Sequence, residues 1–194
     1  MLASGSETRR SILEAAGLLL IVDRPQVDEA VIKQDCRIRG DSADATAKLL
    51  ALTKARQVAL RHPGRVVLGA DQMLECNGEW FDKPNSRSAA ADQIGRLSGR
   101  VHRLFSAVVA LRDGVVIWQT VESAELTMRE LSPEFIDFYL DSVGEKALNC
   151  VGGYQLEHQG IQLFSAVRGD HFAILGMPLL SLLAFLRGEG IIKT

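Results

Sequence analysis

Val66-Val67-Leu68-Gly69-Ala70-Asp71-Gln72 is an apolar run of strand type that closes on Gly-Ala and then delivers a carboxylate. Asn77-Gly78 follows, a dipeptide suited to the positive φ angles of a tight hairpin turn. Lys83-Pro84 stands just past the returning strand. A strand end that presents Asp71, with Lys83 brought back beside it, has the chemistry of a site for a metal and a phosphate. An edge hairpin whose charges simply face water is the alternative reading.

The chain around this stretch alternates helix and strand patterns. Met1-Leu2-Ala3 reads as the end of a first strand and Ser4-Gly5-Ser6 as a turn. Arg9 to Ala16 reads as a helix, with Gly17 past its end, and Leu18 to Val22 as a short strand. Pro25 opens a loop carrying Asp28-Glu29. Asp41-Ser42 offers an N-cap for a long helix from Ala43 to Leu60, whose buried side is expected at Leu49, Leu52, Ala55, Ala59 and Leu60. Ser86 caps a helix from Arg87 to Leu97, and Asp113-Gly114 joins strands 101–111 and 115–128. Ser132-Pro133-Glu134 opens a further helix. Cys150 to Tyr154 reads as a glycine-bearing loop, Ile161 to Arg168 as a strand, and Pro178 opens an apolar helix to Leu186. This order predicts an α/β fold with a mixed sheet and flanking helices, in a single domain over 1–194.

Hydrophobic residues make up 47% of the 194 and charged residues 24%, an ordinary globular composition. The net charge of −2 argues against a protein that grips nucleic-acid backbone, which needs a basic face. Cys36, Cys76 and Cys150 are widely spaced and odd in number, so neither a disulfide framework nor a cysteine metal site is expected. Reduced thiols in the cytoplasm is the default. His62, His102, His158 and His171 are scattered, as surface or core residues would be. No apolar run reaches the roughly 18 residues of a membrane span. Arg9-Arg10 ahead of an apolar run has the look of a twin-arginine signal, but Glu14 interrupts that run and Asp23-Arg24 ends it.

Phosphate chemistry needs cations, a carboxylate-held metal and a positioned water. The backbone and hydroxyls of Ser4-Gly5-Ser6 can cradle an anion at a helix N-terminus. Arg9 and Arg10 stand in the first turn, where positive charge opposes the macrodipole unless an anion lies between them. Asp28-Glu29 supplies paired acids, and Lys54 lies on the semi-apolar side of its helix, where a snorkelling lysine is the plainer reading.

Taken together, these residues resemble the Maf family. Leu2-Ala3-Ser4-Gly5-Ser6 with Arg9-Arg10, Asp28-Glu29, Lys54-Ala55, Gly69-Ala70-Asp71-Gln72, Lys83-Pro84 and Leu97-Ser98-Gly99 with His102 come in the family's order. Gly152-Gly153-Tyr154 and Gly176-Met177-Pro178-Leu179 complete it. The resemblance implies an elongated α/β structure with two lobes around a central cleft, related to inosine-triphosphatase folds. It implies a nucleoside triphosphate pyrophosphatase that cleaves between the α and β phosphates; a nucleotide-binding regulator of cell division and septum formation without turnover is the second reading.

By the same resemblance Asp71 is the catalytic carboxylate and proton acceptor. Glu29 joins it in holding a divalent cation, magnesium or manganese. Lys54 and Lys83 complete the catalytic set, and Ser4, Ser6, Arg9 and Arg10 bind the phosphates. Thr8, Gln72 and Glu157 occupy positions tied to base choice. The branch acting on dTTP and UTP carries Asp-Thr after Gly-Ala and a Gln in the later segment. Gln72 and Glu157 resemble instead the branch acting on 7-methyl-GTP. A carboxylate accepts from the N–H donors of guanine's pairing edge, and it favours the positive charge of a methylated ring. Glu7 stands where that branch has Pro, and Thr8 where it can carry Trp, so a stacking partner is missing there; Tyr154 is the other candidate for stacking. A homodimer is implied as well, with no membrane and no stable nucleic-acid partner.

Overall fold

In the computed structural model, which describes residues 1–193, the elements follow in the order β1 (Leu2–Ala3), α1 (Glu7–Ala15), α2 (Glu29–Arg39), α3 (Ala43–Ala59), β2 (Val66–Cys76), β3 (Glu79–Phe81), α4 (Arg87–Leu97), β4 (Val101–Arg112), β5 (Val115–Met128), α5 (Pro133–Val143), β6 (Phe164–Arg168), α6 (His171–Ile174) and α7 (Leu179–Gly188). Five strands run β1-β2-β4-β5-β6 across one sheet, and β3 pairs with β2. β1 is parallel to β2, with Leu2 opposite Leu68 and Ala3 opposite Gly69. β3 is antiparallel to β2 and β6 to β5, so the sheet is mixed as expected. Among the described residues no helix is long and apolar enough to cross a membrane.

Local chemistry explains the boundaries that the sequence predicts. Ser86 and Ser132 accept from the backbone N–H groups of Ala89 and Phe135, capping α4 and α5. Asn77 and Asp113 sit at φ of 53° and 51°, each followed by a glycine at positive φ, as tight hairpin turns require.

Four expectations need correction. β2 does not end at Ala70; it continues through Cys76, so Asp71 lies inside the strand. The Leu18–Val22 segment is an edge segment with one bridge, Leu2 to Val22, and Leu19 is fully exposed. Asp28-Glu29 does not lie in a loop: Asp28 caps α2 by accepting from Val31 N, and Glu29 is its first residue. The buried face of α3 keeps the expected Ala55 but runs through Ala47, Leu50, Ala51, Lys54 and Val58, leaving Leu49, Leu52 and Ala59 half-buried and Leu60 exposed. Smaller shifts are the start of α1 at Glu7 and of β6 at Phe164, and the short α6, which the sequence did not suggest.

The reason for this face of α3 is Gly69. A Cβ on Gly69 would lie 2.1 Å from the Ala51 carbonyl oxygen and 2.8 Å from Ala55 Cβ. Only a glycine on β2 against small residues on α3 lets the two backbones come so close, and this approach carries Lys54 to Asp71. Gly69→Ala is therefore expected to destabilise the protein by about 3 kcal/mol, the upper end of ordinary overpacking. Urea unfolding checks this; a variant as stable as wild type would show that the contact is not what sets the helix.

The chain forms two compact units. The first comprises residues 1–72, 105–122 and those from Asp170 onward. Its core gathers Leu2, Leu13, Leu68, Val108, Met177 and Leu182. The second comprises residues 73–104 and 123–169. There His102 is buried, and its Nε2 lies 2.8 Å from Tyr154 Oη. Tyr154 packs edge-on against Phe164 at 4.8 Å between centroids. Burial lowers the His102 imidazole to about 4, so the ring is neutral at physiological pH. Tyr154 is itself buried, with its hydroxyl on His102, which removes it as a stacking partner for a base.

Candidate active site

The first unit buries charge in one place. Lys54 Nζ donates to Asp71 Oδ1 and lies 2.6 Å from Glu29 Oε1. Two carboxylates from β2 and α2 thus converge on one ammonium group from α3. Asp71 and Lys54 are buried, and Glu29 is half-buried. Asp71 Oδ2 is also buried and has no hydrogen-bond partner among the described residues. Leaving such an acceptor unsatisfied costs about 1–3 kcal/mol, and functional atoms are among the few that carry that cost. Glu29 starts α2, where the helix dipole favours its negative charge. Lys33, one turn further along α2, lies 3.9 Å from Glu29 Oε2. Nothing in the sequence pattern pointed to Lys33.

Arg9 reaches the residue before Asp71 through the Ala70 carbonyl, and the charges of Asp71 and Glu29 act on it. Burial lowers its guanidinium below the usual arginine range, and the two carboxylates oppose that shift; it stays a cation. Its Nε donates to the Gly176 carbonyl at 2.9 Å, and Nη1 to the Ala70 carbonyl at 2.9 Å and to Ser4 Oγ at 3.4 Å. Gly176, at φ +86°, passes so close that a Cβ there would be 3.3 Å from Arg9 Nε and Nη2. Ser4 is buried and also accepts from Ser6 N. Ser6 Oγ caps α1 by accepting from Arg9 N. Arg10 is exposed and pairs with Glu14 at 2.8 Å and Glu7 at 3.6 Å. Its own helix therefore supplies the negative charge that the sequence reading sought from an anion. Thr8, in the first turn of α1, is half-buried.

Gln72 is tied down on the other side of Asp71. Its Nε2 donates to Ser106 Oγ at 2.9 Å and the Ile174 carbonyl at 2.9 Å, with the Ala173 carbonyl at 3.3 Å. Ser106, buried on β4, donates to Ala173 O at 2.6 Å. Arg9 and Gln72 thereby fasten the residues flanking Asp71 to the turn at 173–176. Ser106 is a positioning residue that single-sequence reading could not find, because a serine within an apolar strand pattern carries no signal.

Lys83 and Glu157 belong to the second unit, where both are exposed. The charges of both act on Cys150. Burial pushes the Cys150 thiol up, Glu157 adds to the shift, and Lys83 opposes it. The structure thus groups Asp71, Glu29, Lys54, Arg9 and Ser4 in the first unit, and Lys83 with Glu157 in the second.

Asp71 and Glu29 suit a small divalent cation. Magnesium and manganese prefer hard oxygen donors, commonly one or two carboxylates with the remaining positions left to water and substrate phosphates. Two carboxylates that already meet at one cationic group, one of them with an unpartnered buried oxygen, match that need. Among the described residues no group of three or more His, Cys, Asp or Glu is placed to hold a metal ion.

Residues 1–189 match the family model described as Maf-like protein. The chain belongs to the Maf family. This Maf chain is 50% identical over 190 residues to a nucleoside triphosphate pyrophosphatase of Paramagnetospirillum magneticum, covering 98% of each. It is 48% identical over 193 residues to one of Nitrobacter hamburgensis, covering 100% of this chain and 95% of the relative. A 7-methyl-GTP pyrophosphatase of Rhizobium etli is 44% identical over 192 residues, with 99% of this chain and 96% of the relative covered. These matches span the Asp71, Lys54 and Glu29 cluster, not a fragment of it.

Proposed function

We propose that this Maf chain is a nucleoside triphosphate pyrophosphatase, a hydrolase that converts a nucleoside triphosphate and water to the monophosphate and diphosphate. The observation that carries this reading is Asp71: a buried carboxylate with one oxygen held by Lys54 and the other unpartnered, in a chain whose full-length relatives bear that name. Lys54 fixes the carboxylate by one oxygen, which leaves Oδ2 to accept a proton from the attacking water. Phosphoryl transfer is driven by positioning and by neutralising the phosphoryl oxygens. Arg9 and Lys54 contribute positive charge there, and by family resemblance Ser4, Ser6, Arg10 and Lys83 contact the phosphates. Asp71 and Glu29 would hold magnesium or manganese; when bound, that ion neutralises phosphate oxygens. The division regulator without turnover is disfavoured, because every relative described above is named for pyrophosphatase activity.

Modified nucleotides such as 7-methyl-GTP are the proposed substrates, through Glu157 and with Gln72 and Thr8 shaping base choice. Two lines support this: the Glu157 carboxylate in a position linked to guanine-type bases, and the Rhizobium relative's name. The working location is the cytoplasm, in keeping with three free cysteines, Cys36, Cys76 and Cys150. A homodimer is the assembly that the family resemblance implies.

Pyrophosphate release from a panel of standard and methylated nucleoside triphosphates, with magnesium or manganese, tests the activity. Turnover of at least one is expected; none across the panel would overturn the reading. Glu157→Gln is expected to weaken guanine-type substrates relative to pyrimidines by about tenfold, the size of one charge-assisted hydrogen bond. An unchanged ranking would discard Glu157 as the base reader.

A further inference from the structure

Among the described Asp, Glu, Lys and Arg residues, four are buried: Arg9, Lys33, Lys54 and Asp71. Three of them have been placed in the cluster by sequence motif as well as by structure. Lys33 is the fourth, and no motif includes it. Its side chain is 11% exposed, while Val31 and Ile38 on the same helix are 53% and 77% exposed. A lysine stem that only needed to cover apolar surface would keep its ammonium in water. Here Val31 and Ile38 face water instead and the lysine is drawn inward, towards Glu29 Oε2 at 3.9 Å.

Glu29 is therefore approached at both oxygens. Lys54 takes Oε1 at 2.6 Å, and Lys33 lies on the side of Oε2. Lys54 is shared with Asp71, so its grip on Glu29 is the one that must loosen when a cation or a phosphate enters. Lys33 is one helical turn from Glu29 on the same element, and its pairing survives that change because neighbours at this spacing stay on one face. We propose that Lys33 is a positioning residue that keeps the Glu29 carboxylate aimed at the cation while Lys54 is drawn to other partners. This inference rests on the pyrophosphatase reading, in which Asp71 and Glu29 hold that ion.

A positioning role and a mere charge effect differ in sign. Removing a nearby ammonium raises the affinity of carboxylates for a cation through Coulomb's law alone. Removing the group that orients a ligand lowers it, typically by about 10–100-fold. The test is Mn²⁺ binding to the full chain without nucleotide, followed by the electron paramagnetic resonance signal of the free ion. Lys33→Met is expected to weaken binding by about tenfold, and Lys33→Arg, which keeps charge and reach, to retain most of it. In the Glu29→Gln background Lys33→Met should add no further loss. Unchanged or tighter binding by Lys33→Met, or an equal loss in the Glu29→Gln background, would overturn the role of Lys33 while leaving the pyrophosphatase reading in place. A wild-type chain that neither binds Mn²⁺ nor releases pyrophosphate would overturn both.

Discussion

Pyrophosphate release by Asp71→Asn is expected to fall by about 10²–10⁴-fold, the range for loss of a positioned proton acceptor. The amide occupies the same volume but cannot take a proton from water. The loss of the acceptor appears in kcat, and the loss of one carboxylate from the cation site appears as a raised metal concentration for half-maximal activity; kcat at saturating metal isolates the first. The fold should survive. Lys54 keeps its contact with Glu29 at 2.6 Å, and the residues on either side of Asp71 stay fastened by Arg9 and Gln72. The stability cost should stay near about 1–3 kcal/mol, that of one altered buried hydrogen bond. Steady-state kinetics with a thermal-unfolding control separate the two effects. A variant that turns over at the wild-type rate would remove Asp71 from the chemistry.

Turns and caps were the legible part of this chain, because their chemistry is local. Asn77-Gly78, Asp113-Gly114, Ser86 and Ser132 each act within a few residues of themselves, and each does what its type predicts. The faces of α2 and α3 were not legible, although Leu13 of α1 is in the core with Ile12 and Ala16 packed against it, as the helical period predicts. α2 is polar along most of its length, and its apolar residues Val31 and Ile38 point to water while Lys33 and Cys36 are buried. An apolar-period search therefore finds no helix there, and it would have chosen the wrong face if it had. α3 misled in the other direction. Its pattern suggests a face through Leu49, Leu52, Ala55, Ala59 and Leu60, yet close approach to Gly69 keeps Ala55 and brings in Ala51 in place of the larger Leu49, Leu52 and Leu60. That choice depends on a glycine in a different element, which no window along α3 contains.

The same limit applies to the site. The family resemblance put Asp71 and Glu29 on one cation with Lys54 in the same set, but no spacing along the chain showed that both carboxylates meet at the Lys54 ammonium group. Arg9 and Arg10, adjacent and chemically alike, part company: one is buried and bound to the Gly176 and Ala70 carbonyls, the other lies in water beside Glu14. Adjacent helix positions point about 100° apart, so a shared motif does not imply a shared role. Arg9 does two things at once. It brings charge to the cluster and fixes the turn that packs beside Asp71.

Lys54→Met is expected to destabilise the protein by about 3 kcal/mol, the lower end of the cost of removing one partner from a buried ion pair. For a chain of this size that corresponds to a fall in Tm of roughly 6–12 °C. Methionine fills the space of the lysine stem, so the loss reflects charge and not a cavity. Asp71 and Glu29, which met at one ammonium, then face each other without it. Two consequences separate this account from simple misfolding. The Asp71→Asn/Lys54→Met pair should be more stable than Lys54→Met alone, since the second change removes the charge that the first left uncompensated. Magnesium or manganese should also raise the Tm of Lys54→Met more than that of wild type, because a cation can take the oxygens that Lys54 has vacated. Turnover should fall with either metal present, since the phosphates lose a cation. A double variant less stable than Lys54→Met would show that the ammonium supports the fold by some route other than the two carboxylates. An equal metal response in both proteins would mean that the ion and Lys54 do not share them.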